Sequence, residues 1–219
     1  MILLTITITT MKTTRILMSL ILVMWGLTCL ADSPLTSCDI HQAYADHPIV
    51  KQALEEQSMT PTILNFLADN NRPVTERAAV VSALGWSIDS TPYAKELCEY
   101  LCKKYKAKGE NEFFKKLDAG TLVIYAYEKA LSNYFQVDEA MEMAKQAVKK
   151  DKTHSFSINM IAALIAAQHY LDSDWAMVYN VVNDVVMDGS LNLDMKQEAF
   201  EIIWDYIKLY EKYAKNAPN

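Results

Sequence analysis

The chain has 219 residues, with 21 Lys and Arg against 27 Asp and Glu, a formal net charge of −6, and five glycines. That acidic balance gives no electrostatic basis for binding nucleic acid or an anionic membrane surface, and among charged partners it favours a basic one. With so little glycine, the chain has no Gly-rich phosphate loop, and no cofactor or metal is expected.

Taken in chain order, the first segment is the most informative. Lys12 and Arg15 precede an uncharged apolar block from Ile16 to Leu30, which ends in Cys29-Leu30-Ala31 before Asp32. This is the layout of a secretory signal peptide over residues 1–31, with cleavage after Ala31 and a periplasmic or secreted destination. The block is 15 residues long, short of the roughly 20 that span a bilayer, so no integral membrane span is expected after cleavage. Met1 to Thr10 is uncharged and alternates Thr and Ile, so Met11 reads as the true start. Cys29 offers an alternative, a lipid anchor on that cysteine, although Gly26 and Thr28 fit the acylation motif poorly. Residues 1–31 hold two basic and no acidic residues, which leaves 19 against 27, or −8, from Asp32 onward.

Residues 32–219 read as one all-α domain. Helices are expected at about 39–57, 61–70, 73–87, 92–107, 111–118, 121–135, 138–151, 155–170, 174–188 and 193–215. Thr60-Pro61 and Thr91-Pro92 each set a capping hydroxyl before a helix-starting proline, Pro73 starts another helix, and Ser37 and Asp39 are candidate caps for the first. Gly109, Gly120 and Gly189 fall where helices should stop. In the last helix, Leu193, Phe200, Ile203, Ile207 and Tyr210 form an apolar stripe. Asp194, Glu198, Glu201 and Asp205 line the opposite side, either as a metal or cationic-partner face or as a solvated one. No strand alternation is visible after Met11.

An internal match organises the second half. Ala126, Ala130, Tyr134, Asp138, Ala140 and Met141 recur 36 residues later as Ala162, Ala166, Tyr170, Asp174, Ala176 and Met177. Each copy reads helix, short turn, helix. The expected architecture is helix hairpins stacked as a short α-solenoid: N-terminal hairpins over 32–108, then a repeat pair and a C-terminal capping helix over 121–219. The pair resembles tetratricopeptide-type repeats over about 121–189. Ala140, Ala144 and Ala147 match the second-helix spacing, as do Ala94, Cys98 and Leu101 in an earlier hairpin. Leu122, Tyr125, Ala126 and Ile158, Ile161, Ala162 match the first-helix positions. The period is 36 rather than about 34, and no proline closes the repeat after Lys152. The resemblance implies a scaffold that binds peptides or protein surfaces.

Chemistry-bearing residues are few. Cys98 and Cys102 are four apart on one helix, a spacing awkward for a mutual disulfide, so the expected bridge joins Cys38 to one of them. Buried thiols, or a metal site with His41 or His47, are the other readings. His41, His47, His154 and His169 belong to no zinc-protease or di-iron motif. Gly85-Trp86-Ser87-Ile88-Asp89 lacks the final glycine and the strand of a nucleophile elbow, and reads as a helix end. Tyr125, Tyr127, Tyr134 and Tyr170 are candidate partner-binding residues, or equally core fillers. The expectation is an exported, non-enzymatic protein that binds a protein or peptide as an adaptor, scaffold or inhibitor of the immunity type. The alternative is an enzyme with a site built from dispersed carboxylates.

Overall fold

The computed structural model describes residues 33–87 and 89–215. The expected signal segment and its Cys29 alternative lie outside the described residues. The described residues are helical with no strand and form one compact unit. The helices are α1 (Pro34–Ser37), α2 (Pro48–Glu56), α3 (Pro61–Leu67), α4 (Val74–Leu84), α5 (Tyr93–Tyr105), α6 (Glu110–Lys116) and α7 (Ala119–Ser132). They continue with α8 (Asp138–Lys150), α9 (Phe156–Tyr170), α10 (Trp175–Met187), α11 (Gln197–Ile207) and α12 (Glu211–Lys215). Two 3₁₀ segments, Ile40–Tyr44 and Lys208–Tyr210, precede α2 and α12. None of the described helices is long and apolar enough to cross a membrane.

Local chemistry explains most boundaries. Thr60 Oγ1 accepts from Ile63 N at the start of α3, as the Thr-Pro pair predicts. Asp118, Ser155 and Asp174 cap α7, α9 and α10 in the same way. Ser33 caps α1, a helix the sequence reading missed. The helix expected over 39–57 is broken, because Pro48 cannot continue a hydrogen-bonded turn and His47 before it is extended at ψ 124°. Ser37 lies inside α1, and Asp39 makes no capping bond. Thr91 is not a cap either: α5 begins two residues later, and the Thr91 hydroxyl lies 2.9 Å from Ser132 Oγ on α7. Gly120 does not stop a helix but sits in the first turn of α7.

Helix α7 organises the packing. Leu122, Val123, Ile124, Tyr125, Ala126 and Tyr127 are consecutive, and each is at most 2 % exposed. A helix that is apolar on every side must be surrounded, and α7 packs against α1, α4, α5, α8 and α9. Each large side chain so buried contributes roughly 1.5–3 kcal/mol of hydrophobic stabilisation. Stacked hairpins follow: α7 with α8, α8 with α9, and α9 with α10, as the 36-residue match predicts. Ala126, Ala130, Ala140, Ala144 and Ala147 are buried and keep the α7–α8 pair close, while their counterparts Ala162 and Ala166 are only half-buried.

The C-terminal cap is shorter than expected. Helix α11 starts at Gln197, so Leu193 never joins the apolar stripe and is 84 % exposed. Ile203 and Ile207 do carry that stripe into the core. Helix α11 also packs on the Ile40–Tyr44 segment and on α1, near the start of the described chain. There Lys196 Nζ sits 4.4 Å over the Tyr44 ring and donates to the Ala43 carbonyl.

Candidate functional site

The four tyrosines divide sharply. Tyr125 and Tyr127 are core residues, so the partner-binding reading fails for both. Tyr125 donates to Glu110 Oε1 at 2.9 Å and packs edge-on against Phe113. Tyr127 is fully buried. The signal for this burial was present in the sequence, in an unbroken apolar run long enough for a surrounded helix.

Tyr134 and Tyr170, by contrast, sit half-buried at the two hairpin turns, α7–α8 and α9–α10. The structure brings these turns together. His169 Nδ1 lies 2.7 Å from Asp138 Oδ1, and Gln168 Nε2 donates to the Tyr134 carbonyl. Tyr134 packs between Trp86, at 4.7 Å, and Phe135, at 4.1 Å. Phe135 itself is 65 % exposed. Asp138 on the first turn and Asp172, Asp174 and Trp175 on the second are exposed. The result is an aromatic, acidic edge at one end of the stacked hairpins. Phe135 was missed in the sequence because it lies outside the repeated positions.

The cysteines are placed differently from the expected bridge. Cys38, Cys98 and Cys102 are all free thiols. Tyr127 lies on the Cys38 side of α7 and Tyr125 on the Cys98 side. Residues two apart on a helix point about 200° from each other, so α7 stands between the two thiols. A disulfide needs Cα atoms within about 7 Å, less than the roughly 10 Å diameter of a helix. Burial, with Asp39 beside it, pushes the Cys38 thiol up. Burial also raises Cys98, which faces Tyr125, Cys102 and Glu110.

The acidic row of the last helix is also divided. Asp194 precedes α11 and reaches back to α9: Oδ2 accepts from Ser155 Oγ, and Oδ1 from Ser157 N and Oγ, all at 2.6–2.7 Å. Glu198, Glu201 and Asp205 remain on one solvent-facing side near Lys196 and Asp46. Among the described residues no group of three or more His, Cys, Asp or Glu side chains converges as a metal site. His41 pairs with Ser82 Oγ at 3.0 Å, and His47 lies 3.5 Å from Glu76. Gly85 follows the C-terminus of α4 with φ 71°, the helix end expected there.

Among known proteins, no family model, no curated protein and no solved structure matches the chain. The fold and the turn edge define it as an all-α domain of stacked helix hairpins.

Proposed function

We propose that this is an exported, tetratricopeptide-like helical-repeat protein that acts by binding a protein or peptide rather than by catalysis. Its role is that of an adaptor, scaffold or inhibitor of the immunity type. The observation that carries the reading is the turn edge, where the exposed Phe135 ring is backed by Tyr134 and Trp86 and flanked by Asp138. Aromatic side chains supply large contact area at small entropic cost, and surrounding carboxylates select a partner segment with apolar and basic residues. The net negative charge of the chain supports the same partner chemistry. The segment 1–31 supports a periplasmic or secreted location.

The test is paired capture from periplasmic extract with the wild type and a Phe135→Ala/Asp138→Ala variant of unchanged melting temperature. A protein held by the wild type and lost by the variant supports the proposal. Equal recovery by both, or no recovery by the wild type, overturns it.

A further inference from the structure

Three helices begin around one cavity of about 670 Å³, away from the turn edge. Val74 of α4, Gly120 of α7 and Ile158 of α9 line it. The helices are 11, 14 and 15 residues long, so each directs the positive end of its dipole inward. Asp118 caps α7 and Ser155 caps α9, but α4 has no side-chain cap, which leaves its first-turn amides for another acceptor.

A second, independent feature is Arg77, which also lines the cavity while only 1 % exposed. Its Nη1 donates to Thr121 Oγ1 at 3.1 Å and to the Leu67 carbonyl at 3.4 Å, both uncharged acceptors. Its Nε has no hydrogen-bond partner, and no carboxylate among the described residues forms an ion pair with it. Asp118 and Asp69 act on its charge from beyond ion-pair distance, so the buried guanidinium has no direct anionic contact, which is costly. Gly120 leaves room for it: a Cβ there would lie 2.6 Å from Arg77 Nη2. The guanidinium is thus laid against the first turn of α7.

The cavity's three carboxylates are already committed. Asp118 accepts from Thr121 N and Oγ1, Asp151 from Thr153 and Ser155 N, and Asp194 from Ser155 and Ser157. Against them stand five cations; Arg72 is ion-paired with Asp69 and Lys150 donates to the Phe114 and Leu117 carbonyls, which leaves Arg77, Lys115 and Lys152. By formal charge the lining holds an excess of two positive charges, five against three, in contrast to the −6 of the whole chain.

We propose that this cavity is a binding site for a small oxyanion-bearing ligand, a phosphate or carboxylate group, anchored by Arg77 and the uncapped start of α4. A planar guanidinium with free N–H groups pairs with two oxygens of such a group at once. Lys115 and Lys152, both exposed, draw the anion in from the rim. The volume exceeds a single ion and suits a small organic molecule.

The experiment is calorimetric titration of the full protein with inorganic phosphate, pyrophosphate and citrate, each against chloride at matched ionic strength. Saturable binding of at least one probe is expected. Preference for the phosphates identifies a phosphate ligand, and preference for citrate a carboxylate one. Lys115→Glu/Lys152→Glu, on the exposed rim, should weaken the constant roughly tenfold or more without changing the circular dichroism. Arg77→Lys keeps the charge but loses the fork, and should weaken it further; if that variant does not fold, the rim pair decides. No saturable binding by the wild type, or binding unchanged in the rim variant, overturns the proposal.

Discussion

Ser132 Oγ donates a 3.0 Å hydrogen bond to Glu128 Oε1, one turn earlier on α7, while Glu128 Oε2 has no partner. Glu128 is fully buried. The same hydroxyl accepts from Ala94 N and lies 2.9 Å from Thr91 Oγ1, so it ties the start of α5 to the end of α7. Burial pushes the Glu128 carboxyl up to about 8, against the Ser132 bond and with repulsion from Glu96.

A pH dependence follows. The unfolded chain ionises this group near its ordinary 4.5, and the folded protein near 8. Between those values the folded state holds a proton that the unfolded state has released, so stability falls as pH rises. The decline attributable to Glu128 is at most about 1.4 kcal/mol per pH unit. Urea denaturation at pH 5, 6.5 and 8 should show it, and Glu128→Gln should flatten it. An identical slope in that variant would disprove the assignment.

The helix crossings predict a graded response to enlargement. Ala126→Leu and Ala130→Leu overpack fully buried sites and should cost roughly 1–3 kcal/mol each. Ala162→Leu and Ala166→Leu occupy half-buried sites and should cost less. Lys145→Leu, on the exposed side of α8, should stay within about 0.5 kcal/mol. Denaturant midpoints with unchanged slopes are the readout. Equal stability across the five would show that the hairpins are not packed as described.

Asp194 and Asp205, though spaced as one acidic row, should behave differently. Asp194→Ala strands the Ser155 and Ser157 groups at the start of α9 and should cost roughly 1.5–3 kcal/mol. Asp205 pairs only with exposed Lys208, three residues on, and Asp205→Ala should change stability by less than about 1 kcal/mol. Melting temperatures of the two variants provide the comparison. A loss at Asp205 as large as that at Asp194 would restore the row as a unit.

Thiol chemistry tests the position of α7. Native protein should alkylate at Cys98 and Cys102 while Cys38 reacts only on unfolding, since it is buried and its thiolate is disfavoured. Non-reducing peptide maps should link Cys38 to neither Cys98 nor Cys102. Finding either link would mean α7 does not separate Cys38 from the other two.

Helical class, most helix positions and hairpin order were legible in the sequence because proline, capping residues and alanine spacing act locally, although the ten expected helices became twelve among the described residues. Thr60-Pro61 set a helix start that needed no distant contact. The rest depended on contacts far along the chain. Arg77 reads as an ordinary surface cation until Thr121, 44 residues later, is placed beside it. Asp194 looks like a helix-face residue because four-residue spacing to Glu198 cannot reveal a preference for Ser155 and Ser157. For Tyr125 and Tyr127 the chemistry suited an interface or a core equally, and the apolar run around them decides for the core.

The contact between α11 and the Ile40–Tyr44 segment bears on how the protein folds and diversifies. An open array gains or loses repeats at its ends, and its stability approximates a sum over neighbours. Here α11 leans on α1 and the Ile40–Tyr44 segment, with Lys196 over Tyr44. A hairpin inserted between these elements would have to keep that seam closed or break it. Unravelling from one end would likewise expose the other, which makes loss of structure all-or-none rather than progressive.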